Sequence, residues 1–201
     1  MQKVEAPCLQ FNCRFEKSRL RQPRVRRGET VALRQRRLMC EFIALNLAST
    51  RFHRGLVSPP KTPGHFATFL QRSNREDSVC LFICLKPDGA IIGAISLGQI
   101  FRGGFQNAYL GYYIGAKHAD QGYMTEALRL ALRYAFDLLK LHRLEANIQP
   151  GNVASIALVK RAGFNREGYS RRYLKVCGRW RDHERWAIIA EDRKSKSGRQ
   201  G

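Results

Sequence analysis

The stretch HADQGYMTEALRLALRYAF, residues 118–136, sets a glycine among polar residues directly before a long amphipathic pattern. Two readings of Gly122 are open. It is either a tight connection that exploits glycine's tolerance of left-handed dihedrals, or a backbone cradle for an anion. A helix start offers four unpaired N–H groups and a partial positive charge, and a turn without a side chain lets a phosphate come close. Thiol and metal chemistry have less support. The cysteines Cys8, Cys13, Cys40, Cys80, Cys84 and Cys177 form no Cys-x-x-Cys pair, and no His/Cys spacing suits zinc. Cys80 and Cys84 fall inside an apolar run, where a thiol behaves as a small hydrophobe. No metal is expected.

The chain has 201 residues, 44% hydrophobic and 26% charged, a globular composition long enough for one sizeable core. It has no apolar run of the roughly 18 residues that a membrane helix needs. Its first residues, MQKVEAPCLQFNCRFEKSRL, lack a hydrophobic secretory segment. A cytoplasmic protein without a membrane partner is therefore expected. Lys and Arg total 36 against 16 Asp and Glu, a formal net charge of +20. Such an excess favours proximity to nucleic acid, a ribosome or an acidic ligand. Basic residues crowd the segments 14–37 and 166–185.

The elements that must position Gly122 follow from periodicity and turn chemistry. Residues 1–28 read as a basic arm, poorly ordered or irregular, and 193–201 as a disordered basic tail. Between them, 29–192 form one domain. TVALR (30–34) alternates like a short strand. Residues 35–49 are helical, with Leu38, Phe42 and Leu45 on one face. Pro59, Pro60 and Pro63 set a loop, and Thr62 caps the helix after it. Apolar strands at 79–86 and 90–101 flank Pro87-Asp88-Gly89. A strand at 107–115, the helix at 123–140 and a strand at 142–149 make a crossover. A short helix at 153–161 ends at Gly163, and strands at 169–178 and 179–192 form a closing hairpin. The fold class is α+β, with a mixed, mostly antiparallel sheet built around that central strand–helix–strand unit.

This order carries quotable motifs. LGYYIG precedes HADQGYMTEAL, EANIQPGNVAS precedes IALVKRAGF, and NREGY and GRWRDH follow. The set resembles the GCN5-related N-acetyltransferase (GNAT) family, most of all its RimJ-type branch, the ribosomal-protein-alanine N-acetyltransferases. The resemblance runs over about residues 30–192. It implies the GNAT fold, acetyl-CoA as cosubstrate and an amine as acceptor.

By that resemblance, backbone N–H groups of Gln121, Gly122, Tyr123, Met124 and Thr125 surround the diphosphate. The main chain of Tyr112, Tyr113 and Ile114, on a bulged strand, pairs with the pantetheine arm. Asn152 is a helix cap or a cofactor contact. The family's thiolate-protonating Tyr is replaced here by Val159, which leaves Ser155 as cofactor contact and acid. Ala119 stands where a long polar side chain is common, with Lys117 or His118 to compensate. Related RimL-type enzymes carry a carboxylate where this chain has Arg172, so the base falls to Glu145, with Asp182 and His183 behind it. Tyr169, Trp180, Asp182 and His183 border the acceptor groove.

The acceptor implied is the N-terminal α-amine of a protein, such as a ribosomal protein beginning with Ala or Ser, with the basic surface near ribosome or RNA. An α-amine has a pKa of about 7.7–8.0 against about 10.4 for lysine, so a site without a strong base suits it better. A small-molecule amine is an alternative acceptor. A basic RNA- or ribosome-binding protein that keeps the fold without the catalysis is another reading.

Overall fold

The computed structural model describes residues 4–8, 31–85 and 88–192. The tail at 193–201 and the rest of the arm lie outside them, while Val4–Cys8 forms a strand, β1. Helices α1 (Val31–Ala48) and α2 (Pro63–Ser73) follow, then strands β2 (Val79–Leu85), β3 (Ile91–Phe101) and β4 (Asn107–Ile114). The crossover helix α3 (Tyr123–Arg133) leads to β5 (Arg143–Ile148). Helix α4 (Val153–Ala162) and the hairpin β6 (Asn165–Val176) and β7 (Arg179–Ile189) complete the domain.

Of the strand expected at 30–34, residues 31–34 form the first turn of α1 instead, and Thr30 lies outside the described residues. Alternation over so short a run cannot outweigh the helix formers Gln35, Arg36 and Arg37 that follow it. The long helix at 123–140 is α3 plus a π-turn over Tyr134–Leu138, where Leu139 N–H donates to Tyr134 O at 3.0 Å.

The seven strands run in the order β1-β2-β3-β4-β5-β7-β6. Neighbours are antiparallel except β4 and β5. One core fills the face under α3 and α4, with Leu97, Leu128, Leu144 and Val159 fully buried. A second lies under α1 and α2, where Phe42 packs on Phe82 (4.8 Å between ring centroids), Phe69 (5.4 Å) and Phe66 (5.9 Å). Truncating a buried Phe such as Phe42 to Ala costs about 3–5 kcal/mol. These two cores clamp β4 from both faces.

Candidate active site

The parallel pairing of β4 with β5 covers only Asn107↔Arg143, Ala108↔Leu144 and Tyr109↔Glu145. Residues 110–114 keep their β3 partners, from Leu97↔Leu110 to Gly93↔Ile114, and have no β5 partner. The register there is continuous, so the expected bulge is absent from this part of β4. The irregularity lies at the other end, between Gly98 and Phe101, where Gln99 has φ 51°.

Strand alternation decides what the open edge offers, because every second residue turns its N–H and C=O to the same side. Gly115 N–H donates to Ile92 O on β3 at 2.8 Å, while Ile114 O faces away and accepts from His53 Nε2 at 2.8 Å. The open edge therefore presents the N–H groups of Ile114 and Tyr112. A cavity of about 400 Å³ opens beside it, lined by Tyr112, Tyr113 and Ile114 from β4, within the usual range for small-molecule sites.

Helix α3 meets this cavity end-on. Gly122 is its cap, with φ 83° and ψ −12°, and Glu126 N–H is the first to bond back, to Gly122 O at 3.1 Å. The N–H groups of Tyr123, Met124 and Thr125 have no intrahelical acceptor. A Cβ on Gly122 would meet no protein atom within 4 Å. The glycine thus answers a left-handed conformation and leaves the helix end open. Gly122, Met124 and Thr125 line the cavity, whereas Gln121 and Tyr123 do not. The Gln121 side chain is tied back to Lys117 O at 2.7 Å. His118 and Arg161 also line the cavity, and they supply the imidazole and guanidinium that Ala119 cannot.

Helix α4 contributes the other wall. Asn152 is its cap, accepting from Ser155 N–H at 3.2 Å through Oδ1, and it lines the cavity as well. Ser155 Oγ lies 2.5 Å from the Tyr112 hydroxyl. Burial pushes Tyr112 up to about 12, opposed by its hydrogen bond to Ser155. A phenol thus enters the cavity from β4, although the helix position of the family's Tyr is filled by buried Val159. The family resemblance implies only a main-chain role for Tyr112.

The loop after α1 closes the site. Its His53 is buried, with its ring 5.3 Å from Tyr113, and it lines the cavity beside Phe52 and Leu56. A carbonyl can only accept, so the bond to Ile114 O places the proton on Nε2 and leaves Nδ1 as a lone pair. Burial, chiefly, and Lys61 lower its pKa, against the Ile114 bond that raises it. Nothing in the segment TRFHRG marks His53 as part of a site; only the folded chain brings it to β4.

The other expected residues fall elsewhere. Glu145 sits on the face opposite Leu144 and Ala146, and its Oε1 accepts from both Asn107 Nδ2 (3.0 Å) and Arg143 Nε (2.9 Å). Asp182 holds an irregular turn of β6, accepting from the Tyr169 hydroxyl at 2.5 Å and from Arg172 N–H at 2.7 Å, where Arg172 has φ 47°. His183 is buried, its Nδ1 3.0 Å from Arg181 O, and burial lowers its pKa. Trp180 is exposed. Neither Glu145 nor Tyr169, Trp180, Asp182 or His183 lines the cavity. Burial pushes the Cys80 thiol up to about 12, far from a nucleophile's range. Among the described residues no cluster of His, Cys, Asp and Glu could hold a metal ion, and no helix is long and apolar enough to cross a membrane.

An open strand edge leading to an open helix end fits a ligand with an amide-bearing arm and a diphosphate, as acetyl-CoA has. The model of the family described as "Acetyltransferase (GNAT) domain" matches residues 33–165. The [ribosomal protein uS5]-alanine N-acetyltransferase of Escherichia coli is 40% identical over 120 residues, which is 59% of this chain and 62% of that relative. The structure of Mycobacterium smegmatis RimJ in complex with CoA-disulfide superposes with a TM-score of 0.71 at 27% identity, covering 89% of this chain and 88% of that one. The spermidine N-acetyltransferase of Vibrio cholerae, solved with CoA and spermine, shares the fold alone: TM-score 0.65 at 19% identity, over 76% of this chain and 90% of that one. The chain belongs to the GNAT family of acetyltransferases and is an acyltransferase that uses acetyl-CoA.

Proposed function

We propose that this enzyme acetylates the N-terminal α-amine of a protein, with a ribosomal protein beginning with Ala or Ser as its cytoplasmic acceptor. The observation that carries this reading is that no free carboxylate among the described residues lies at the reacting end of the cavity. Asp120, the acid on its wall, is exposed in the turn before α3. Glu145 is engaged by Arg143 and Asn107. A lysine or polyamine acceptor needs a strong base, whereas about a tenth of an α-amine is already neutral at pH 7. The E. coli relative that acts on a ribosomal alanine supports the same choice.

Bound acetyl-CoA supplies an acetyl thioester, with an electrophilic carbonyl and a thiolate leaving group. The N–H groups at the start of α3, with Arg161 and His118, hold its diphosphate. The open edge of β4 holds the amide arm and directs an N–H at the acetyl oxygen, and such a donor contributes about 3–4 kcal/mol to acyl transfer. Tyr112, through Ser155 Oγ, delivers the proton that the departing sulfur needs. The reading is tested by intact-mass analysis of peptides beginning Ala, Ser or Gly and of an N-acetylated control, each with an internal lysine. One acetyl group gained only by free N-termini is the expected result. Acetylation of the blocked peptide would overturn it.

A further inference from the structure

A second cavity, of about 790 Å³, lies between the α1–α2 loop and the β6–β7 turn. The two segments meet where Ser58 Oγ lies 3.2 Å from Cys177 Sγ. Cys177 is the hairpin residue on its wall; Tyr169, Trp180, Asp182 and His183 do not line it. Arg51, Arg54, Lys61, His65 and Arg72 do, and no Asp or Glu does. Arg51, Arg54 and Arg72 are exposed, and none of the arginines or Lys61 has a carboxylate partner among the described residues. The inner wall is shared with the acetyl-CoA cavity at His53 and Val57. There His53, 3% exposed, carries an Nδ1 lone pair with no hydrogen-bond partner among the described residues. A buried acceptor without a donor is costly and calls for one.

We propose that this groove receives an acceptor N-terminus whose next few residues are acidic, the amine donating to His53 Nδ1 and the carboxylates pairing with Arg51, Arg54 and Arg72. The proposal rests on the α-amine reading above and narrows it to a charge class. A wall of one sign repels polyamines and basic peptides and steers anionic ones. RNA fits less well: Phe69, the groove's aromatic, is packed on Phe42, Phe66 and Phe82 and offers no platform for stacked bases. As the amine nitrogen forms its bond to the acetyl carbon, its proton passes to Nδ1. The C–S bond breaks, its electron pair leaves on sulfur, and sulfur takes a proton from the Ser155–Tyr112 pair.

The test uses fluorescence anisotropy and kinetics with three peptides that share an N-terminal alanine. Their next residues are Glu and Asp, Gln and Asn, or Lys and Arg. The acidic peptide is expected to bind about tenfold more tightly than the amide peptide, with the gap shrinking in high salt. The R51E/R54E enzyme should lose that gap and keep its melting temperature. His53→Gln keeps an N–H for Ile114 O but no imidazole; it should lower kcat for every peptide and remove a fall in rate that lies on the acid side of histidine's ordinary value of about 6.5, because burial lowers His53. Equal binding of the three peptides, with transfer to their α-amines intact, overturns this inference and spares the broader reading. Transfer to polyamines and to no peptide overturns both. Tight binding of single-stranded RNA, lost in R51E/R54E and without peptide preference, also overturns it.

Discussion

The hydrogen bond between Tyr112 and Ser155 allows a sharp test of how the thiolate is protonated. Tyr112→Phe removes one hydroxyl from a 2.5 Å contact and leaves the ring in place. The lost bond should lower stability by about 1 kcal/mol. Loss of a positioned acid should lower the single-turnover rate about 100-fold, with little change in acetyl-CoA affinity, because the strand-edge contacts are main-chain. Ser155→Ala should do the same. Since both hydroxyls serve one proton, the double variant should also lose about 100-fold rather than about 10,000-fold, a coupling of about 2.7 kcal/mol. Tyr112 is pushed up to about 12, so the acid stays protonated and its deprotonation should not depress the wild-type rate anywhere between about pH 7 and 10. Rapid-quench kinetics of the four enzymes measures all of this. A Tyr112→Phe rate equal to wild type, or losses that multiply in the double variant, would refute the shared-proton argument.

Gly122→Ala should cost about 1–2 kcal/mol of stability through its left-handed backbone. Its methyl meets no protein atom, so a rise in KM for acetyl-CoA but not for peptide would locate the extra effect at the ligand. Asp182 is held below the usual carboxylate range, first by the Tyr169 hydroxyl and then by Arg172 N–H. A depressed carboxyl stabilises the fold above its unfolded pKa, near 4, and ceases to as pH falls through the native value. Asp182→Asn should therefore melt earlier than wild type at neutral pH, with the difference vanishing in acid. Glu145→Gln keeps an oxygen for Asn107 and discards the charge facing Arg143; it should lower the melting temperature and leave the pH–rate profile unmoved. A displaced profile would restore Glu145 as the base.

What could be read from the sequence was local. Gly122 before an amphipathic run, Asn152 three residues before Ser155, and Gly163 closing a short helix each state their geometry within a few residues, and the structure places them so. The apolar strands at 79–101 announced themselves by composition, and burial follows. What escaped is long-range. Tyr112 and Ser155 are 43 positions apart and His53 and Ile114 are 61 apart; neither pair has a spacing rule. Glu145 looked available because its engagement with Asn107 lies 38 positions away. The acidic pair partner of the irregular β6 turn, Asp182, is visible only once the hairpin register is known. The run at 31–34 reads as a strand but folds as helix, because alternation over so few residues is weaker evidence than the helix formers beyond it.

The short seam between β4 and β5 has a further consequence. Three residue pairs join the half of the sheet carrying β1 to β4 to the half carrying β5 to β7. A ligand that binds the open edge of β4 extends that seam with a strand of its own, so it serves as part of the folded architecture as well as a reactant. By mass action, cosubstrate at about 100 times its dissociation constant would add about 2.7 kcal/mol to the enzyme's stability. The working lifetime of this enzyme would then rise and fall with the metabolic supply of acetyl-CoA, and a starved cell would lose it to proteolysis sooner than a well-fed one.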